Sequence, residues 1–89
     1  MDDLALINWL HDGIYRIKAL KILKSSPNFP KNVAKSLKIH KSSLSRILND
    51  LHEKGLINKV TSSSRTITYV ITPIGEEILN KIDKKNDTN

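Results

Sequence analysis

The chain contains no cysteine. That absence removes a disulfide framework, a thiolate zinc site and a thiol nucleophile together. No apolar run is long enough to span a bilayer and no basic-then-apolar leader opens the chain, so the expectation is a soluble, cytoplasmic protein with no membrane partner. Glycines are too few to make a phosphate-cradling loop, and no carboxylates converge, since Glu76 and Glu77 are neighbours in the first turn of a predicted helix. The serines have no histidine within motif distance except His40 near Ser42 and Ser43, and these read better as helix-start residues. His11, His40 and His52 fall on separate predicted elements, which speaks against a metal site. The residues therefore favour neither an enzyme nor a cofactor.

A more informative absence is local. Between Gly13 and Asn49 there is no Asp or Glu, whereas Arg16, Lys18, Lys21, Lys24, Lys31, Lys35, Lys38, Lys41 and Arg46 all lie there. The chain as a whole carries a formal charge of +6 and a sequence pI near 9.7. A scattered excess of this size would be ordinary solvation, but segregation over one structural unit favours a polyanionic partner. At 89 residues the chain forms one small domain that buries only roughly 60–65% of its unfolded surface. Self-association, as a homodimer, is expected to supplement so modest a core.

That unit is residues 29–55. Apolar residues recur at helical spacing as Val33, Ala34 and Leu37 and again as Leu44, Ile47, Leu48 and Leu51, with only Lys38-Ile39-His40-Lys41 between. Two helices joined so tightly make a helix-turn-helix. The first starts at Pro30, with Asn28 the better cap by chemistry and Phe29 the residue in the cap position. The second starts at Lys41 or Ser42 and ends before Gly55, which is placed for a left-handed cap. On a helical wheel Leu44, Ile47, Leu48 and Leu51 cluster, leaving Ser42, Arg46, Asn49 and Glu53 opposite. Short hydroxyls, an amide and a guanidinium suit phosphate oxygens and base edges in a major groove. Lys41 adds a cation at a helix N-terminus, where backbone N–H groups already favour phosphate.

The flanking segments surround this pair. Residues 2–11 form a short helix with Leu6, Ile7 and Leu10 on one side and Leu4 and Trp9 elsewhere, either folded on its own core or packed on a second subunit. After Asp12-Gly13, residues 14–24 make a helix with a broad arc of Tyr15, Ala19, Leu20, Ile22 and Leu23, the central helix of a small domain. Its row of Lys18, Lys21 and Lys24 reads first as solvated surface, with Arg16 and Lys18 within reach of a phosphate as the second reading. Residues 56–60 and 66–71 are β-branched strands joined by a polar linker ending in Arg65, with Ile67, Tyr69 and Ile71 on one face. Arg65 is a candidate for a minor-groove or backbone contact or a plain solubility residue. Thr72-Pro73 restarts helix, with Ile74, Ile78, Leu79 and Ile82 as its stripe, Gly75 for close backbone contact, and a ragged polar tail from Lys81 onward.

Helix, helix, reader helix, two-stranded wing, helix is a mainly α architecture with a small two- or three-stranded antiparallel wing. The segments RIKALKILKSS, FPKNVAKSLKIHKSSLSRILNDLHEKGLI and YVITPIGEEIL resemble the winged helix-turn-helix transcription regulators common in archaea and their viruses, and are similar to the MarR and ArsR groups. The resemblance covers roughly residues 14–83. Residues 1–12 stand outside as a helix with a possible dimer contact, residues 13–83 as the winged domain and residues 84–89 as a tail. What the resemblance implies is a homodimer on double-stranded DNA, with the recognition helix in the major groove and wings on flanking minor grooves or phosphates. Carried over by position, the DNA contacts are Lys41, Ser42, Ser43, Ser45, Arg46 and Asn49 of the helix and Arg65 of the wing. ArsR-type metal sensors commonly use cysteine ligands, which are absent here, and MarR-like members are usually longer. A sequence-tolerant architectural protein and a protein–protein interaction module remain as alternatives, the latter requiring an acidic or apolar reader face.

Overall fold

The computed structural model describes residues 2–61 and 66–86. Its order is α1 (Asp3–His11), α2 (Ile14–Ser25), α3 (Pro30–Leu37), α4 (Lys41–Glu53), β1 (Ile57–Thr61), β2 (Ile67–Ile71) and α5 (Pro73–Asn86). The expected α-with-wing architecture is present.

Asp2 caps α1, its carboxylate accepting the Ala5 N–H at 2.8 Å, which satisfies one of the orphan donors of the first turn. Leu6 and Leu10 then bury against the core. α2 packs against α1, α3, α4, α5 and β2, through buried Ala19, Leu20 and Leu23, so the wide apolar arc does mark the central helix. Two of its lysines face α5: Lys21 pairs with Asp83 at 3.7 Å and Lys24 donates to the Asn80 side chain at 3.0 Å, while exposed Lys18 lies 5.8 Å from the Tyr15 ring of its own helix. Arg16 is likewise structural. It stacks over Trp9 at 4.0 Å and donates to the Trp9 carbonyl, while Lys54 reaches the same ring at 5.3 Å. Burial of Trp9 is therefore shared between the core and two cations, and Arg16 is not available to a phosphate.

The cap of α3 resolves in favour of Phe29, which has extended backbone before Pro30. Asn28 stands one residue before the cap: its side-chain oxygen accepts the Phe29 N–H at 2.9 Å and the Asn32 side-chain amide at 3.1 Å, while its backbone N–H donates to the Tyr69 carbonyl at 3.1 Å and its carbonyl accepts from Tyr69 at 2.9 Å. That single antiparallel bridge is all that joins the two-stranded sheet as a third member among the described residues. Within the sheet Ile57 pairs with Ile71, Lys59 with Tyr69 and Thr61 with Ile67. These pairs share a face, buried at Ile57 and Tyr69 and open at Ile67, where the hairpin runs past the body of the domain. β1 starts one residue later than the apolar run suggests because the Leu56 N–H is taken by the Leu51 carbonyl.

Two expectations for α5 need correcting. Ile74 is 54% exposed rather than part of the stripe, because Ile78, Leu79 and Ile82 centre the inward face near the direction of Gly75, and Ile74 falls about 90° from that centre. The helix also does not fray at Lys81. It runs to Asn86, with Ile82 still buried and Lys81 bonded to Asp3 of α1 and 3.6 Å from Glu77. The bond to Asp3 is the chief cause that raises the Lys81 pKa. This contact is therefore complete below the ordinary lysine range and lost as pH rises above it.

Gly75 and Gly55 constrain the chain in different ways. A Cβ on Gly75 would lie 2.4 Å from the Leu56 carbonyl oxygen, whereas Gly55 has open space but φ +76°. Gly75→Ala is expected to lower stability by about 1–3 kcal/mol through overpacking, and Gly55→Ala by about 1–2 kcal/mol through left-handed strain. Urea denaturation measures both. A Gly75→Ala protein as stable as the parent would contradict the close approach.

Candidate nucleic-acid interface

Two caps hold α4 in place. At its start the chain turns through Lys38, which adopts the left-handed conformation at φ 58°, while the Ile39 N–H returns to the Ala34 carbonyl at 3.1 Å and Lys38 to Lys35 at 3.3 Å. At its end the Gly55 N–H reaches the His52 carbonyl at 3.0 Å and Leu56 reaches Leu51 at 3.1 Å. This bond pair is a Schellman cap, and glycine is suited to its left-handed position.

Between the caps Leu44, Leu48 and Leu51 are buried and Ile47 partly so, which fixes the rotation of the helix. Lys41, Ser42, Ser43, Ser45, Arg46 and Asn49 are all exposed as a result. They do not form one cluster. Ser42, Ser43 and Arg46 surround a shallow hollow of about 140 Å³. Lys41 and Ser45, on the opposite flank of the helix, line a larger groove of about 410 Å³ shared with Phe29 and Lys31 of the α3 start and Ile67 of the wing. Asn49 lies a turn beyond Ser45 and Arg46 on the same exposed face. Arg65 lies outside the described residues.

The charge distribution separates this surface from the rest. Among the described residues Lys31, Lys35, Lys38, Lys41 and Arg46 are exposed and enter no ion pair, whereas Lys21 and Lys81 are paired with carboxylates of other elements. His40, the residue before α4, makes no side-chain cap bond. The first-turn amides of that helix thus keep their donor capacity. Nothing in the sequence distinguishes Lys31 from the other lysines of the acid-free window. Its place beside Lys41 depends on the turn between α3 and α4 and on the Asn28–Tyr69 bridge that pins the start of α3 to the wing. Among the described residues no group of three His, Cys, Asp or Glu side chains is placed to hold a metal ion, and no helix is long and apolar enough to cross a membrane.

A helix-turn-helix with an exposed cationic reader, a hairpin beside it and a helix closing the rear defines a winged helix-turn-helix protein. The corresponding family profile, described as winged helix-turn-helix, matches residues 14–89, and the chain belongs to that family. In sequence it is 41% identical over 69 residues to the HTH-type transcriptional regulator YdgG of Bacillus subtilis (strain 168), itself uncharacterized, a match covering 72% of this chain and 45% of YdgG. Among solved structures it is similar to MepR, a transcription regulator of the Staphylococcus aureus multidrug efflux pump MepA, with a TM-score of 0.78 and 19% identity over 83% of this chain and 57% of that one. It is also similar to Streptococcus pneumoniae FabT in complex with DNA, with a TM-score of 0.74 and 23% identity over 83% of this chain and 54% of FabT. Both structural neighbours show the same fold. The chain spans about half the length of these relatives.

Proposed function

We propose that the protein is a sequence-specific regulator of transcription that binds double-stranded DNA as a homodimer. The observation that carries this reading is a difference among the cations: Lys21 and Lys24 of α2 and Lys81 of α5 are engaged with neighbouring elements, while Lys31, Lys35, Lys41 and Arg46 of α3 and α4 face solvent around the recognition helix. An acidic or apolar reader face, as a protein–protein module needs, is absent from α4 as far as Asn49. Arg46, Ser42 and Asn49 would meet base edges in the major groove, and Lys41, Ser43 and Ser45 the phosphates or sugars beside them. Arg65 would extend the contact from the wing. The family and the sequence relative support regulation, and a DNA-bound neighbour of the same fold supports the partner. Such a role places the protein in the cytoplasm, and it is one of binding without turnover.

The dimer rests on a separate observation. Leu4 is 63% exposed and Ile14 71% exposed, and exposed Ile74 adjoins the α1 side of the domain, so a set of large apolar side chains lacks cover within one chain. Pairing would set two recognition helices about 34 Å apart, one turn of duplex.

Affinity for duplex DNA should fall steeply with salt, since each neutralised phosphate releases counterion with a slope of about −0.9 per contact. Unchanged affinity between low and moderate salt would sink the reading. Arg46→Ala should cost about 1–3 kcal/mol of binding and relax preference at one base position in a competition assay. An equal loss on every sequence would reassign Arg46 to a phosphate, and no preference for any sequence in the parent would leave a sequence-tolerant architectural protein. For the dimer, Ile74→Glu should shift sedimentation towards the monomer while the fold persists by circular dichroism. A parent chain that already sediments as a monomer at high concentration would refute the pairing.

A further inference from the structure

We infer that Trp9, Arg16 and Lys54 form a joint that fixes the angle between α1 and the C-terminal end of the recognition helix, and that this joint sets the distance between the two recognition helices of a dimer. The second half of the inference rests on the homodimer proposed above. All three are positioning residues, acting through the placement of α4.

The joint draws on three elements. Trp9 lies in the last turn of α1, Arg16 in the first turn of α2, and Lys54 is the C-terminal cap of α4. The Arg16 guanidinium stands 4.0 Å over the indole and donates to the Trp9 carbonyl, and the Lys54 ammonium comes within 5.3 Å of the same ring. Arg16 reaches that place by lying across Gly13, where a Cβ would come within 2.6 Å of its Cδ and Nε. The glycine between α1 and α2 thus leaves the space that the guanidinium occupies.

Surface cations ordinarily extend into water and keep apart, since like charges repel. Here two of them converge on one partly buried ring. Lys54 is half-buried, whereas every other lysine with a described side chain is exposed, and neither Lys54 nor Arg16 enters an ion pair among the described residues. Attraction to the face of an indole offsets the repulsion, and it strengthens as water is excluded. The contact passes into the reader through the backbone, because the Lys54 N–H donates to the Asp50 carbonyl at 3.2 Å beside the turn that ends α4. It passes towards the partner through Leu4 of α1 and Ile14 at the start of α2, both exposed members of the pairing face. A helix of 13 residues is about 20 Å long, so a change of about 10° at its C-terminal end moves its first turn by about 3 Å. That is close to one base step, roughly 3.4 Å. Looseness at Trp9 is enough to put the two readers out of register with a duplex.

The full chain has no cysteine and a single tryptophan, which supplies two clean probes. A nitroxide on Asn49→Cys, an exposed position of α4, reports the distance between recognition helices in the dimer by double electron–electron resonance, and Trp9 fluorescence reports cover on the ring. The labelled parent should give one narrow distance distribution. Gly13→Ala, which displaces Arg16, and Lys54→Gln should each move the Trp9 emission to longer wavelength and at least double the width of the distribution. Lys54→Arg, which keeps a cation for the ring, should restore the narrow form, and Lys18→Gln elsewhere on α2 should not change it. Thermal melts and sedimentation check that each variant stays folded and paired. A shifted emission with an unchanged width would overturn the inference, since the joint would then open without moving the readers, and an emission unmoved by both substitutions would show that the joint does not form. If the labelled parent shows no coupling between spins, the homodimer fails and the spacing role fails with it.

Discussion

Gly75 brings the start of α5 against the backbone of Leu56, the buried residue where the recognition helix hands over to the wing. The Thr72 N–H donates to the Leu56 carbonyl at 3.0 Å, and the Thr72 hydroxyl donates to the Gly55 carbonyl at 2.7 Å while accepting the Gly75 N–H at 3.1 Å. One threonine thus caps α5 and ties it to the Schellman turn that ends α4. Buried polar groups at such a junction are costly unless every one is bonded, and here the bonds are met by neighbours that must all be in place together. The direction of the wing relative to the reading face follows from this junction.

Midway along β2 a second tie does related work. The Asn28–Tyr69 bridge holds the α3 start beside β2, so the helix-turn-helix and the hairpin are joined at both ends of the reading surface. Leu44, Leu48 and Leu51 set the rotation of α4 between those ties. Cations divide accordingly. Lys21 and Lys24 lace α2 to α5, and Arg16 and Lys54 cover Trp9. The lysines of α3 and the first half of α4 are left facing outward. Lys21, Lys24, Arg16 and Lys54 thus serve internal cohesion, and the cations of α3 and the first half of α4 remain open to solvent.

Much of this was legible in the sequence because it depends on local rules. Apolar spacing located each helix, Pro30 and Pro73 marked two starts, and Gly55 marked the left-handed end of α4. The wheel placed the serines, Arg46 and Asn49 outward because only one face of a helix with Leu44, Leu48 and Leu51 can be buried. What the sequence left open depends on contacts between distant residues. Asn28 stands one residue before the cap of α3, its backbone paired with Tyr69. Arg16 was claimed by Trp9, and Ile74 was turned outward by the packing of Gly75. Lys31 joined Lys41 only through a tertiary turn in which Lys38 adopts an unusual backbone conformation, with no glycine to announce it.

On the proposed function, the outward cations of α3 and α4 form one DNA-binding face. Amide chemical-shift mapping by NMR during titration with duplex DNA tests it most directly. The amides of Lys31, of Lys41 to Arg46, of Asn49 and of Ile67 should move most, and those of Lys21, Asn80 and Asp83 on the opposite side should remain still. Shifts concentrated on α2 and α5, with α4 unmoved, would contradict the claim.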